Sequence, residues 1–404
     1  MSAIVDLVLG VVTSIGGFVE AGSISTAAQA GSEFGFQLLW AIAIATAMLA
    51  MLAEMSGRLA AVGKCSMAAA VRERFGIQFQ FVPLTAELAI DLLLLAAEIG
   101  GVAIAIRLLT GLSFQWWVVP VGGAVWLVLW LCGFGLIEYG LGLLGIVTVS
   151  FVVSAWHLGP MVSDLGAGLL PSLPLHHHLR YGFLTISIVG ATVSPYLLNF
   201  YSSGTVEEKM TEEELWVNRT TAYLGMSFGG VVSMGVLVTS ALVLGPRHIL
   251  VDSYAQAALM FVPAFGHWSV GLFAAALGIG CFGASVEIAL NAGYLLSQVF
   301  GWSWGANKPR RDAARFTAAF SVVVAASTVV ALMGFDPLRL TTIAVALTVV
   351  IMPVVVLPFL VLMNDERYVG DHKSGPVGNG VLAAITILGA VFALVVVPLE
   401  ILGG

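Results

Sequence analysis

The sequence predicts an all-α polytopic membrane protein: two inverted five-helix halves plus an eleventh helix, with the first helix of each half broken in its middle. Three observations carry this expectation. Hydrophobic residues make up 59% of the 404 and charged residues only 10%, with a mean hydropathy of +1.01, whereas a soluble domain carries roughly 25% charged residues. Eleven apolar runs reach the length of about 20 residues that a spanning helix requires. Two of these runs, in corresponding positions, are interrupted by Gly16-Gly17-Phe18-Val19-Glu20-Ala21-Gly22-Ser23 and by Gly190-Ala191-Thr192-Val193-Ser194-Pro195-Tyr196.

In chain order the runs cover 4–31 (broken), 36–61, 81–109, 116–134, 142–162, 182–203 (broken), 221–245, 268–299, 314–333, 338–362 and 378–401. Short connections with Gly and Pro punctuation, such as Gly245-Pro246 and Pro171-Ser172-Leu173-Pro174, separate them. Residues 251–265 read as a short surface helix. The first repeat takes 1–165, the second 166–365, and 366–404 adds the last span. Five spans per half is an odd number, so the halves enter the membrane from opposite faces.

Basic residues set the orientation. With a cytoplasmic amino terminus, twelve of the 16 Lys and Arg residues face inside, and only Arg107, Arg180, Arg247 and Arg339 face outside. The expected location is therefore integral to a membrane, taken as a bacterial inner membrane. No basic stripe or zinc spacing suggests nucleic acid. Cys65, Cys132 and Cys281 show no paired spacing and read as small core residues. The first run lacks a basic flank, so no cleaved signal peptide is expected. No nucleophile-base pair, metal-binding helix motif, phosphate loop or cofactor signature points to an enzyme.

Charges at membrane depth cost about 2.5–3.5 kcal/mol each on insertion scales, so each demands a reason. Glu20 sits in the first break among glycines, Gly17 included, that let backbone approach a ligand. It reads as a substrate or proton site, or as a cap on the half-helix that follows. In the second break Pro195 lacks an amide hydrogen and frees a carbonyl near Ala191, while Ser194 and Tyr196 offer hydroxyls. Glu87, Asp91 and Glu98 share one face of the third span and read as a proton or cation path, or as residues hydrated at a mouth. Glu287 is a further deep acid, and His157 reads either as a proton relay or as a hydrogen-bonded core histidine. His176-His177-His178 resembles a metal tract but cannot share one helical face. Glu207-Glu208-Lys209 and Glu212-Glu213-Glu214 read as a solvated face, and Trp116-Trp117, Trp302 and Trp304 as an interfacial belt.

Several motifs stand out along the chain: Gln29-Ala30-Gly31-Ser32-Glu33-Phe34-Gly35, Leu38-Leu39-Trp40, Ser56-Gly57-Arg58-Leu59, Gly63-Lys64 and Arg72-Glu73-Arg74. They continue in Asp336-Pro337-Leu338-Arg339-Leu340, Pro353 to Pro358, and Asp365-Glu366-Arg367. In these motifs, and across nearly its whole length, the chain resembles the Nramp (natural resistance-associated macrophage protein) metal transporters. The resemblance implies a LeuT-type fold with a site between broken spans 1 and 6. It also shows departures. Where the family has Asp-Pro-Gly-Asn, this chain has Glu20-Ala21-Gly22-Ser23; where it has Met-Pro-His, this chain has Ser194-Pro195-Tyr196. The family's acids of the third span fall at Leu94 and Ala97, and its glutamine ligand of the tenth span falls at Val345. Glu87 is retained and Glu98 is new.

The expected function is secondary transport by alternating access. Glu20, Ser23, Gly17, Ala191, Ser194 and Tyr196 form the expected substrate site, with Glu20, Ser23 and Ala191 as metal ligands. Glu98, Glu87, Asp91, Glu287 and His157 form the expected proton path. Only hard oxygen donors remain, which suit a partly hydrated Mg²⁺ or Mn²⁺; relatives in the superfamily that lack the methionine include magnesium transporters. Competing functions are proton-coupled uptake of bicarbonate, another small anion or an amino acid, with Glu20 as the proton site, and a receptor or assembly subunit without transport. The expected partners are lipid, the transported ion or solute, and coupling protons.

Overall fold

The computed structural model describes residues 20–174 and 176–396. The described chain is helical throughout. Its helices are α1 (Ala21–Phe34), α2 (Leu39–Gly63), α3 (Met67–Phe75), α4 (Ile77–Thr110), α5 (Gln115–Leu131) and α6 (Phe134–Gly145). There follow α7 (Val149–Leu158), α8 (Val162–Gly168), α9 (His178–Thr192), α10 (Pro195–Glu207), α11 (Leu215–Val243) and α12 (Tyr254–Ala258). The rest are α13 (Val262–Phe265), α14 (Ser269–Phe300), α15 (Ala314–Leu332), α16 (Pro337–Leu362), α17 (Glu366–Val369) and α18 (Pro376–Val391).

Among the described residues, nine helical stretches are long and apolar enough to cross a membrane. The α5 helix, with 17 residues, is a shorter apolar one, and α1 is the described part of the first run. Together these account for the eleven runs counted in the sequence. The first half of the first run, with Gly17, lies outside the described residues.

Three expectations need correction. The second break is narrower than the sequence suggested: Gly190, Ala191 and Thr192 stay helical, and only Val193 and Ser194 leave the helix before Pro195 starts α10. The proline is the cause, since its fixed φ suits a first helical position while its missing amide ends the preceding ladder. Residues 254–265 are helical but do not form a surface helix, because Tyr254, Met260 and Phe261 are buried. The short helices α3 and α8 were not foreseen; α3 starts with Ser66 capping the Ala69 amide.

Helix α4 is the central post. Its most extensive contact is with α14, and α16 and α15 also pack along it. Helix α11 holds α1 and α2. Every residue from Ala21 to Ser32 is buried, and most are small, which lets α1 approach its neighbours at backbone distance. At the closest point a Cβ on Gly31 would lie 2.2 Å from the Leu237 carbonyl oxygen, and Ser240 Oγ donates to the Ala28 carbonyl at 2.6 Å beside it.

This contact fixes where α1 begins, and it is testable. Gly31→Ala drives a methyl group into backbone and should cost about 1–3 kcal/mol. Thermal melting of the detergent-solubilised protein should show a lower Tm; an unchanged Tm would mean that α1 and α11 are not this close.

Candidate functional site

Helix α1 begins inside the protein. Glu20 is its cap residue, in extended conformation with φ −111° and ψ 176°. Ser23 Oγ accepts from the Glu20 amide at 3.0 Å and donates to the Glu20 carbonyl oxygen. The expected cap is therefore present, and the hydroxyl of Ser23 is committed to it. A starting helix leaves its first amides unserved by its own carbonyls. Here a distant acid serves one of them: the Ala21 amide donates to both carboxylate oxygens of Glu98, at 3.1 and 3.2 Å. The positive end of the α1 dipole also favours an acid at this place.

The second break closes over the first. Tyr196, on the first turn of α10, donates its hydroxyl to Glu20 Oε2 at 2.9 Å. A methyl group on Gly22 would lie 3.5 Å from Ala191 Cβ and 3.2 Å from Val345 Cγ2, so both breaks and α16 meet at one point. Ser194 Oγ is buried and has no hydrogen-bond partner among the described residues. Tyr254 reaches in from α12 and donates to the Ala21 carbonyl oxygen at 3.3 Å. Glu20 is 2% exposed and Glu98 fully buried. Glu287, on α14, is also buried, and the Cys281 thiol lies beside Glu98.

No cationic side chain pairs with Glu20, Glu98 or Glu287 among the described residues. All 16 Lys and Arg residues fall within the described stretches. Of the expected donors, Glu20, Ser23 and Tyr196 are joined by hydrogen bonds and Ala191 packs beside them, while Ser194 is buried in the adjoining break; Glu98 joins them at hydrogen-bond distance from α1.

A polar seam runs away from this point between α4, α10 and α14. On α10 the residues Tyr196, Asn199, Ser203 and Glu207 recur at helical spacing and span about 16 Å at 1.5 Å per residue. Asn199 Nδ2 donates to both oxygens of Glu87, at 2.7 and 2.9 Å. Asn291 Nδ2, from α14, bridges Glu87 at 3.3 Å and Asp91 at 3.0 Å. Gln298 Nε2 donates to Ser203 Oγ at 2.8 Å. Glu87 and Asp91 are 2% and 1% exposed, so they are buried members of the seam and not hydrated residues at a mouth. Asn199, Asn291, Ser203 and Gln298 were not singled out in the sequence. The signal was present: Asn291 and Gln298 follow Glu287 at four and eleven residues, as Asn199 and Ser203 follow Tyr196 at three and seven.

Other expectations fall away. His157 is exposed on the last turn of α7; it is neither a core residue nor a neighbour of the carboxylates in the seam. Its exposure follows from a helix end that turns outward at Gly159, which has a left-handed φ of 63°. His176, His177 and His178 are exposed, and no group of three His, Cys, Asp or Glu side chains arranged to hold a metal exists among the described residues. Glu207 is not simply solvated: it accepts from the Tyr294 hydroxyl, the Ala306 amide and Asn307 Nδ2. The three cysteines are free, and only Cys281 is fully buried.

The two ends of the site differ. At the far end of α1, Arg180 grips Glu33 through both Nε and Nη2. Tyr181 accepts from Trp40 and donates to the Gln37 and Ser172 carbonyls, closing that end. At the end of α16, the Arg367 amide and the Arg74 guanidinium hold the Asp365 carboxyl below its ordinary range.

A helix that begins inside the bundle, beside another that is interrupted there, is the arrangement expected of a LeuT-type membrane transporter. In solved structures the fold resembles a manganese transporter of Eremococcus coleocola, with 18% identity, a TM-score of 0.79, and coverage of 99% of this chain and 88% of that one. It also resembles Mhp1, a nucleobase-cation-symport-1 family transporter, with 16% identity, a TM-score of 0.62, and coverage of 98% and 91%. MhsT, solved in complex with L-phenylalanine, gives 12% identity, a TM-score of 0.57, and coverage of 96% and 98%. A family model described as natural resistance-associated macrophage protein-like matches residues 10–398. The chain belongs to the Nramp family of transporters, and is not an enzyme.

The Tyr196–Glu20 bond joins the breaks, and its loss is measurable. A hydrogen bond to a charged group is worth about 1.5–3 kcal/mol. Tyr196→Phe should lower stability by that order, and the double mutant with Glu20→Gln should show less than the sum of the two losses. Fully additive losses would mean that the two side chains do not interact.

Proposed function

We propose that the protein moves a hard divalent cation, Mg²⁺ or Mn²⁺, by alternating access through a site between Glu20 and the 191–196 break. The observation that carries this reading is the set of buried carboxylates, Glu20, Glu98 and Glu287, with no cationic side chain beside them. Buried charge is tolerated only when compensated. A positive charge must therefore come from a bound cation or from protons. A small anion as cargo fits badly, since the site would add negative charge to negative charge. Glu20, the Ala191 carbonyl and the unpartnered Ser194 hydroxyl offer oxygen only, and Ser23 can add another once it gives up its cap. Hard oxygen donors suit Mg²⁺ and Mn²⁺ better than soft metals, and leave room for retained water. Family membership and the fold shared with a manganese transporter support the same cargo class.

Protons then serve as the coupling ion. Glu98 and Glu287 are the residues that exchange them, because both are buried with no cationic partner among the described residues and Glu98 holds the amide next to Glu20. The Arg180–Glu33 pair and the Tyr181 cluster act as the gate on the side where α1 ends. With the amino terminus cytoplasmic, this is the external gate.

Proteoliposome flux tests the proposal. Mg²⁺ or Mn²⁺ uptake should be present in the wild type and abolished in Glu20→Ala; no divalent flux, with pH-driven uptake of a small solute instead, would overturn it. Glu98→Gln and Glu287→Gln should each flatten the pH dependence of uptake. Unchanged pH profiles in both would remove these residues from the proton route.

A further inference from the structure

We propose a second cation station, one to two turns along α10 from the transport site, formed by Glu87, Asp91, Asn199 and Asn291. It rests on the reading of the protein as a divalent-cation transporter and extends that route toward the side opposite the Arg180–Glu33 gate. Two carboxylates from one face of α4 meet two amide heads, one from α10 and one from α14. All four side chains are at least 97% buried. Among the described residues no Lys, Arg or His is paired with the two acids.

The amides hold the decisive detail. Each Nδ2 donates into the acids at 2.7–3.3 Å, yet among the described residues the Oδ1 atoms of Asn199 and Asn291 are buried with no hydrogen-bond partner. A buried acceptor without a donor costs about 1–3 kcal/mol, so the present orientation of each head leaves an oxygen unused. A cation between the acids gives that oxygen a use. The terminal amide torsion is broad and roughly two-fold, so each head can turn over. It then presents Oδ1 where Nδ2 now stands, between the acids and the ion. With no ion the amide nitrogens keep the carboxylates apart and satisfied; with an ion the amide oxygens join them as ligands. Glu87, Asp91, Asn199 and Asn291 then give four hard oxygens, and two negative charges match one divalent ion. Retained waters complete a six-fold shell. The set holds neither sulfur nor imidazole, which matches the donor chemistry around Glu20.

The geometry also gives the station a purpose. Asn199 lies one turn beyond Tyr196 on the same face of α10, and Ser203 and Glu207 continue that face. An ion leaving Glu20 therefore meets this group next along the seam.

Crystals of the full-length protein soaked in Mn²⁺ test the station by anomalous scattering, with Mn²⁺ binding stoichiometry in solution as a second measurement. Two peaks are expected, one beside Glu20 and one between Glu87 and Asp91, with two ions bound per chain. Asp91→Asn should lose the second peak and keep the first; Asn291→Ala, as a second variant, should do the same. A single peak beside Glu20 overturns the station and leaves the transport reading intact. A single peak between Glu87 and Asp91 supports the station and overturns Glu20 as the transport site. No peak at either place, with one ion or none bound in solution, overturns the station, and the Glu20→Ala flux measurement then judges the transport reading alone.

Discussion

A helix that starts at membrane depth has to find acceptors for amides that no carbonyl of its own can reach. Helix α1 meets this constraint with Glu98, whose two oxygens both accept from the Ala21 amide. The remaining features of the site follow from it. Glu98 is held at the start of α1, Glu20 caps that same start, and Tyr196 from the other broken helix closes onto Glu20. Tight packing keeps the start in place, because α1 is buried along twelve consecutive residues and touches the α11 backbone at Gly31. Small residues let the helix sit that close, and so they fix the position of the charge.

The seam extends the same logic along α4. An acid in a low-dielectric interior needs hydrogen-bond donors, a counter-charge or a proton. Glu98 has the amide of a helix start, while Glu87 and Asp91 have asparagine heads from two other helices. Amides give direction without charge, so the two acids are held by hydrogen bonds and are not neutralised by a counter-charge. A lysine or arginine in place of Asn291 would supply that counter-charge.

Much of this was legible in the chain itself. The apolar runs located the spans, because a helix surrounded by lipid must carry its own hydrophobicity. Glu20 and Pro195 marked the breaks, each being a residue that a continuous membrane helix tolerates badly. The spacing of Glu87, Asp91 and Glu98 placed them on one face. Their burial was not legible, since the same stripe would suit a hydrated mouth, and the covering groups come from α10 and α14, over a hundred residues away. Asn199 and Asn291 escaped notice because a neutral amide costs little by itself; its meaning appears only when a carboxylate stands opposite. Glu207 was misjudged for the same reason. It lies in a charged stretch of sequence, yet the 301–307 segment folds back over it and supplies the Ala306 amide.

The departures from the family pattern form one coordinated change. Where the resemblance places acids, at Leu94 and Ala97, this chain carries buried apolar side chains. Its own acids stand at 91 and 98. Moving a carboxylate from 97 to 98 turns it by about 100° around the helix axis. In this chain the acid at 98 meets the amide end of α1 and the Cys281 thiol. In the sixth span the thioether and imidazole give way to a hydroxyl and a phenol, and the phenol is spent holding Glu20. The pocket thereby loses its soft ligands in the same step as its acids gather around the start of α1. The donors left at this point are oxygens, the type that hard cations favour over soft ones. The altered break in one helix and the shifted acid in another are thus complementary, because Glu98 holds the first amide of α1 and Tyr196 holds the Glu20 that caps the same start.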